Sequence, residues 1–223
     1  MPFVTVGREN SAAIRIYYED HGSGAPVVLV HGYALNGDSW EKQEAALLAA
    51  GPRVITYDRR GSGVSSRPSI GYDFDTLATD LDVLLSRLDL RGVVLAGFAM
   101  GTGEVTRYLA VHGSGRVKAA VLVAPLLPFL LKTYDNPEGM DRSVFDGIAA
   151  RIAADRPAAM KDFLDRSYNV VNPVFSTIVG QAVQTCPLSL RTGAALEPHR
   201  IRRFPRLERK SPRGVTSYTV VHR

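Results

Sequence analysis

The chain of 223 residues lacks the features that stabilise small secreted proteins and anchor membrane proteins. It has one cysteine, Cys186, which excludes a disulfide within this chain, and a single thiol does not form a zinc site. Its longest apolar run, residues 119–131, is short and interrupted by two prolines, so we expect no membrane-spanning helix. Residues 1–10 lack the basic start and apolar centre of a signal peptide. We therefore expect a cytoplasmic protein with no membrane partner.

The composition is that of a globular protein. Hydrophobic residues make up 45% of the chain, charged residues 22% and aromatic residues 8%, which excludes a collagen-like or wholly disordered chain. The net charge of +5 is unevenly distributed, because residues 191–223 hold nine basic side chains and two acidic ones. Residues 1–190 then carry a net charge of −2, so a nucleic-acid partner is not expected.

Apolar runs alternate with helix-period segments through residues 1–125. The β-branched run 26–30 is continuous, which is typical of a strand covered on both faces, whereas residues 74–88 place apolar side chains at helical spacing. This alternation predicts an α/β fold with a parallel sheet and helices on both faces. The predicted strands are 3–6, 14–18, 26–30, 53–57, 93–96 and 117–124, and the predicted helices are 39–50 (capped by Asp38 or Ser39), 74–88 (capped by Asp73 or Asp75) and 101–111.

The pattern changes after residue 125, which divides the chain into a core at 1–125 and a predicted helical cap at 126–185. The cap segment has helical stretches at 143–154, 157–168 and 173–185 and no strand, as expected for an insertion that covers a site at the carboxyl edge of the sheet. Residues 186–223 form an atypical basic tail with a possible last strand at 215–222.

One stretch, residues 93–103, has the pattern of a nucleophile elbow. A buried strand runs into Gly97, a second glycine follows at Gly101, and a helix begins at once, as in the G-x-S-x-G motif. The glycines are needed because the central residue is held in a strained turn that leaves no room for side chains two positions away. The central residue is Ala99, which has no nucleophilic atom. The geometry of the elbow is thus predicted without its chemistry.

These segments together resemble the α/β-hydrolase superfamily, and within it the cofactor-free (non-heme) bacterial chloroperoxidase/bromoperoxidase group and its esterase relatives. The resemblance covers about the first 185 residues, and an ordered set of motifs is more specific than one glycine pattern. It implies an α/β-hydrolase fold with a mostly parallel central sheet, helices on both faces and a helical cap, and it implies no cofactor and no metal. The segments that carry it are 17–22, 30–33, 57–61, 97–105 and 128–132.

The resemblance also implies an activity. Members of the group hydrolyse esters through a Ser–Asp–His triad, and with hydrogen peroxide they form peracids from short carboxylic acids, which then oxidise halide. A small ester or carboxylic acid is the ligand that this implies, and a homo-oligomer is possible.

Carried over to this chain, the nucleophile position is Ala99 and the oxyanion hole uses the backbone N–H groups of Tyr33 and Met100. His31 is expected to organise the oxyanion turn rather than to act as the base. Ala34 stands where the group usually has proline after the aromatic residue. The remaining residues implied for the substrate pocket are His31, Gly32, Trp40 and Phe98, although Trp40 and Tyr33 could equally belong to the core.

The other two triad members are not found. In the family the acid follows the next strand and the histidine lies near the C-terminus, whereas here residues 215–222 resemble that strand and the sequence stops at Arg223. We therefore expect a truncated C-terminal part that lacks both residues, with His222 a chance terminal histidine on an apparent strand. The other histidines have no acid or cysteine partner in a metal spacing, so they are predicted to lie at the surface: His21, His112 and His199.

The basic tail has three interpretations. It could bind polyanions, it could be a solvated extension, or it could result from reading GC-rich DNA in the wrong frame, which would give a gene product that folds poorly. The loss of resemblance near Thr185 and its faint return at residue 215 favour the third.

Two classes of function stay open at this stage. The first is a hydrolase of the haloperoxidase/esterase type, impaired because Ala99 replaces the nucleophile and the acid and histidine are missing. The second is a non-catalytic pseudo-hydrolase that binds a small ligand or acts as an interaction protein. A deliberate serine substitution would retain the acid and the histidine, whereas a drifted copy could lose all three.

Overall fold

Eight strands form one sheet in the computed structural model, which describes residues 2–125, 130–134, 136–168, 208–210 and 217–221. Their order across the sheet is β1-β2-β4-β3-β5-β6-β8-β7. The four central strands β3–β6 are mutually parallel, and the two strands at either end run antiparallel to their neighbours. The strands are β1 (Phe3–Glu9), β2 (Ala12–His21), β3 (Pro26–Val30), β4 (Arg53–Tyr57), β5 (Val93–Phe98), β6 (Val117–Val123), β7 (Glu208–Lys210) and β8 (Ser217–Val221).

The helices fall where the apolar spacing predicts them. The N-cap residue of helix α2 is Asp73, one of the two predicted caps. Its carboxylate accepts a hydrogen bond from the Thr76 N–H at 2.9 Å. The caps predicted at Asp38 or Ser39 are wrong, because a 3₁₀ turn at Gly37–Trp40 precedes α1 and Trp40 occupies its N-cap position. The α-helices are α1 (Glu41–Ala49), α2 (Phe74–Arg87), α3 (Met100–Val111), α4 (Arg142–Ala154) and α5 (Arg156–Tyr168). None of these helices combines the length and the apolarity that a bilayer crossing requires.

The main core lies between the sheet and one face of α2 and α3. Leucines at helical spacing on α2 pack against β-branched and leucine side chains of the central strands, and burial of this apolar surface is the dominant favourable contribution to folding. The predicted strand and helix pattern of residues 1–125 is thereby confirmed. The buried members contributed by α2 and the central strands include Leu81, Leu84, Leu85, Val28, Val30, Ile55 and Leu95.

The segment after residue 125 is described in part. Helices α4 and α5 match the stretches predicted at 143–154 and 157–168, whereas the stretch predicted at 173–185 lies outside the described residues. Strand β8 falls inside the predicted 215–222, and it pairs antiparallel with β6 rather than continuing the parallel sheet. Strand β7 was not predicted. The division at residues 125 and 185 stays a prediction.

Candidate active site

The turn at Ala99 joins β5 to α3 with no intervening loop. Ala99 has φ 47° and ψ −113°, a positive-φ conformation that strains a residue with a Cβ atom. Its N–H donates to the carbonyl of Val123 on the adjacent strand at 3.0 Å. Its carbonyl accepts the Thr102 N–H at 3.0 Å and the Thr102 hydroxyl at 2.6 Å. The strained turn is therefore held by hydrogen bonds on both sides.

The two glycines of the elbow permit close backbone approaches. A Cβ atom on Gly97 would lie 2.7 Å from the carbonyl oxygen of Gly101, and one on Gly101 would lie 2.3 Å from that of Val30. Both distances are shorter than any ordinary contact, and the obstructing atoms belong to the main chain. The absence of these side chains lets the first turn of α3 lie directly against the end of β3.

This contact places the elbow beside the loop that follows β3, where the oxyanion hole was predicted. Val30 pairs with Gly97, so both strands end at the same edge of the sheet. Gly32 lies against the Phe98 ring, at 2.9 Å from a notional Cβ. Met100 is the first residue of α3, and an amide in the first turn of a helix has no intrahelical acceptor. Met100 and the loop containing Tyr33 thus lie at one edge, next to Ala99.

His31 is fixed in the loop as a neutral ring. Its side chain is 1% exposed, and its Nε2 accepts the Arg59 N–H at 3.2 Å. The proton therefore lies on Nδ1, which donates to the Gly32 carbonyl at 2.9 Å. Burial, followed by the nearby Arg59 cation, lowers the pKa of His31 well below its usual value. Both ring nitrogens are engaged with main chain, as expected for a residue that organises the turn.

A buried network that the sequence analysis did not predict connects α3 to the loop that follows β3. This loop contains His31 and Tyr33 and is called the oxyanion loop. Glu104 is fully buried and accepts hydrogen bonds from the Tyr57 hydroxyl and the Arg59 guanidinium. The same guanidinium donates to the carbonyl of His31. Burial raises the pKa of Glu104, and the Arg59 cation opposes that rise. Helical spacing offered a signal, because Gly101, Glu104 and Tyr108 lie on one buried face of α3.

Helix α5 covers this edge. The Phe163 ring meets Tyr33 edge-on, with 5.3 Å between ring centroids, and Met160 and Leu164 pack against Ala34 and Leu35 in one buried cluster. The cap helix therefore contacts the oxyanion loop directly. Ala34 has a φ of 59°. Proline, which the haloperoxidase group usually has at this position, cannot adopt this φ because its ring fixes the angle at a negative value.

Trp40 is buried next to Phe98. It packs with Leu29 and Val54 in a separate buried cluster, and its ring meets Phe98 edge-on at 6.4 Å. This placement favours a role for Trp40 in the core. Phe98, which precedes Ala99 in the sequence, is the residue through which Trp40 contacts the elbow. The buried indole N–H of Trp40 has no hydrogen-bond acceptor among the described residues.

His21 and His112 lie at the surface as predicted, but the prediction that neither has an acidic partner in a metal spacing is wrong for His21. His21 Nε2 lies 3.6 Å from Glu19 and 3.7 Å from Glu44, and His112 lies 3.8 Å from Asp82. Strand alternation puts Glu19 and His21 on one face, and only tertiary packing adds Glu44. Three further residues of the sequence analysis lie outside the described residues: Cys186, His199 and His222.

Comparison with known proteins identifies the family to which this fold belongs. Residues 25–214 match the family model described as alpha/beta hydrolase fold. This chain belongs to the α/β-hydrolase family. The resemblance stated from the sequence is thereby confirmed at the level of the superfamily, and the proteins most similar in sequence carry it further.

Several curated relatives bear haloperoxidase names. A Synechocystis sp. protein with the provisional name non-heme chloroperoxidase is 62% identical over 184 residues, covering 82% of this chain and 67% of the relative. A non-heme chloroperoxidase from Kitasatospora aureofaciens is 43% identical over 160 residues, covering 72% of this chain and 58% of the relative. The chain therefore spans between about half and two thirds of the length of these proteins.

Two solved structures support the same family assignment. A bromoperoxidase from Bacillus anthracis superposes with a TM-score of 0.78 at 39% identity, covering 87% of this chain and 71% of that structure. An esterase from Exiguobacterium antarcticum gives a TM-score of 0.79 at 30% identity, with coverages of 86% and 71%. The chain is thus a member of the non-heme haloperoxidase and esterase branch of the α/β-hydrolase family.

Proposed function

We propose that this chain is an α/β-hydrolase of the non-heme haloperoxidase/esterase type in which serine-dependent turnover is impaired and binding of a small ester or carboxylic acid is retained. The observation that carries the proposal is Ala99, a residue without a nucleophilic atom in the strained turn of the elbow. Loss of a catalytic serine reduces kcat on the order of 10⁶-fold in a well-studied serine protease.

The retained binding follows from the backbone nature of the oxyanion donors. The amides of Tyr33 and Met100 belong to the main chain, so an alanine at position 99 leaves them in place. A carbonyl or carboxylate oxygen is the acceptor that such a pair of donors recognises. The edge also has apolar walls, because Phe98 and the α5 residues beside Tyr33 surround it.

A second candidate is a non-catalytic pseudo-hydrolase that binds a small ligand or another protein. It is supported by the state of His31, whose two ring nitrogens are both engaged with main-chain groups and whose pKa is lowered by burial. A histidine held in this way does not serve as a general base, so the loop offers no substitute for a triad histidine.

Hydrolysis of p-nitrophenyl acetate by the purified chain tests the impairment, with a mock purification from the same host as background. We expect no turnover above that background from protein that melts cooperatively. Clear turnover would overturn the proposal. The variant Ala99→Ser then tests whether the serine hydroxyl is all that is missing, because recovered turnover requires that the chain still supplies an acid and a base for it. Absence of recovery favours the pseudo-hydrolase.

Ligand binding can be followed through Trp40, the one tryptophan of the chain, because its ring contacts Phe98 beside the elbow. We expect short carboxylates such as propionate to change its fluorescence saturably. Ala99→Leu fills the space at the elbow and should abolish the change. The matched variant Ala45→Leu, on the exposed face of α1, should leave it intact. An identical response in both variants would contradict binding at this edge.

A further inference from the structure

Three side chains of the kinds that bind metals meet at the edge of the sheet opposite Ala99. His21 pairs with Val54, near the start of β4, whereas Ala99 follows the carboxyl end of β5. The cluster is therefore independent of the site proposed above. We propose that Glu19, His21 and Glu44 bind one divalent transition-metal ion of the Zn²⁺ type.

The spacing of the donor atoms suits one ion. His21 Nε2 lies 3.6 Å from a Glu19 oxygen and 3.7 Å from a Glu44 oxygen, and all three donor atoms lie within 4.8 Å of one another. Tetrahedral zinc bonds of roughly 2.0–2.2 Å separate neighbouring donors by about 3.3–3.6 Å. The two carboxylates are on flexible side chains, so small rotations close the difference.

The protein holds part of the cluster in position. Glu19 and His21 are two residues apart on β2 and therefore share a face of the sheet. The hydroxyl of Tyr17, on the same face, donates to Glu19 Oε1 at 2.5 Å and leaves Oε2 as the oxygen nearest His21. A hydrogen bond of this kind orients a metal-binding carboxylate. Helix α1 supplies Glu44, whose side chain is 17% exposed.

The charge balance favours a cation. Among the residues that the structure describes, His21 is the one basic side chain within 4 Å of either carboxylate. Two carboxylates with one imidazole thus lack a lysine or arginine partner. One nitrogen and two carboxylate oxygens are a donor set for zinc, whereas magnesium and calcium take oxygen ligands alone. The alternative is a surface ion pair that binds no metal.

Isothermal titration of the full chain with ZnCl₂ tests the proposal. We expect binding that His21→Ala weakens more than about tenfold, and that excess Mg²⁺ does not displace. The matched variant His112→Ala, which removes a histidine beside the single carboxylate of Asp82, should bind zinc as the unmodified chain does. Tyr17→Phe retains all three ligands and should weaken binding about tenfold through loss of the orienting hydrogen bond.

Absence of zinc binding, or equal binding by His21→Ala and the unmodified chain, would overturn the proposal. Glu44→Gln removes one ligand with little change of shape, and it replaces His21→Ala if that variant fails to melt cooperatively. Substitution with Co²⁺ distinguishes the source of the ligands. A thiolate-to-cobalt absorption band would assign the ion to Cys186 and reject this cluster, whereas a spectrum with nitrogen and oxygen ligands that Glu44→Gln abolishes would support it.

Discussion

At the scale of single residues, Ala99 has a backbone conformation that is unfavourable for a residue with a Cβ atom. Its φ of 47° and ψ of −113° lie in a region that side chains disfavour, and the hydrogen bonds to Val123 and Thr102 hold it there. Strain of this kind costs on the order of 1–3 kcal/mol. In working α/β-hydrolases the strain presents a nucleophile, whereas here it persists around a methyl group.

Replacing Ala99 with glycine should therefore raise the free energy of unfolding by about 1 kcal/mol, since relief of strain exceeds the extra entropy of an unfolded glycine. Urea unfolding measures the change. The matched variant Ala50→Gly, at a residue with φ −87° and ψ −3°, should instead lower it by about 0.5–1 kcal/mol. A loss of stability in both variants would show that position 99 is not strained.

Protonation of His31 makes the free energy of unfolding depend on pH. Burial lowers its pKa in the folded chain well below 6.5, its value in an unfolded chain. Below pH 6.5 the unfolded chain then binds the proton that the folded chain rejects. This residue should make the free energy of unfolding fall as the pH falls, by at most about 1.4 kcal/mol per pH unit.

Comparison of unfolding at pH 7 and pH 5 with that of His31→Gln isolates this contribution, because other groups titrate in the same range. Burial raises the pKa of Asp80 to about 6, for instance, which acts in the opposite direction. Nitrogen-15 NMR of the His31 ring at pH 6.5, where about half of the free imidazoles are protonated, should show a proton on Nδ1 and none on Nε2. An imidazolium signal at that pH would contradict the lowered pKa of His31.

At the scale of elements, the approach of α3 to β3 decides where the candidate site forms. Gly101 is the contact point, since a Cβ atom there would lie 2.3 Å from the Val30 carbonyl. The main chain cannot move away without separating α3 from the sheet. The elbow and the oxyanion loop would then lose their relative positions.

Gly101→Ala should accordingly destabilise the protein by about 2–3 kcal/mol, as overpacking does in a well-packed interior. Gly147→Ala is the matched control, because no atom lies within 4 Å of its notional Cβ on the exposed face of α4. That substitution should stabilise the helix by about 0.5–1 kcal/mol. Similar changes in the midpoint of urea unfolding for both variants would reject the close contact.

At the scale of the whole molecule, the cap rests on the core through a small apolar cluster. Leu164 of α5 is 1% exposed and packs with Met160 against Ala34 and Leu35. This cluster is separate from the main core beneath the sheet. We therefore expect the cap helices α4 and α5 to open locally while the sheet stays folded.

Leu164→Ala should remove about 2–5 kcal/mol from the stability of the cap contact. Hydrogen exchange should then be faster at amides of α4 and α5 and unchanged at β3, β4 and β5. Val144→Ala, at an exposed position of α4, should alter exchange little. Faster exchange throughout the sheet would show that cap and core unfold as one unit.

The local features of this protein were predictable from its sequence. Alternation of β-branched runs with helix-period segments located the strands of the core and α2, because burial on one or both faces determines that pattern. The glycines around Ala99 predicted the elbow, since the turn needs them wherever it occurs. The cap helices α4 and α5 followed from helical spacing alone.

Tertiary structure decided what depends on distant segments. The Tyr57–Glu104–Arg59 network, the contact of α5 with Tyr33 and the antiparallel pairing of β8 each join residues far apart in sequence. Likewise, Glu44 reaches His21 because α1 packs against β4, the strand next to β2, which no spacing in the sequence shows. Periodicity determines which face of an element is buried, but packing alone selects the element that it meets.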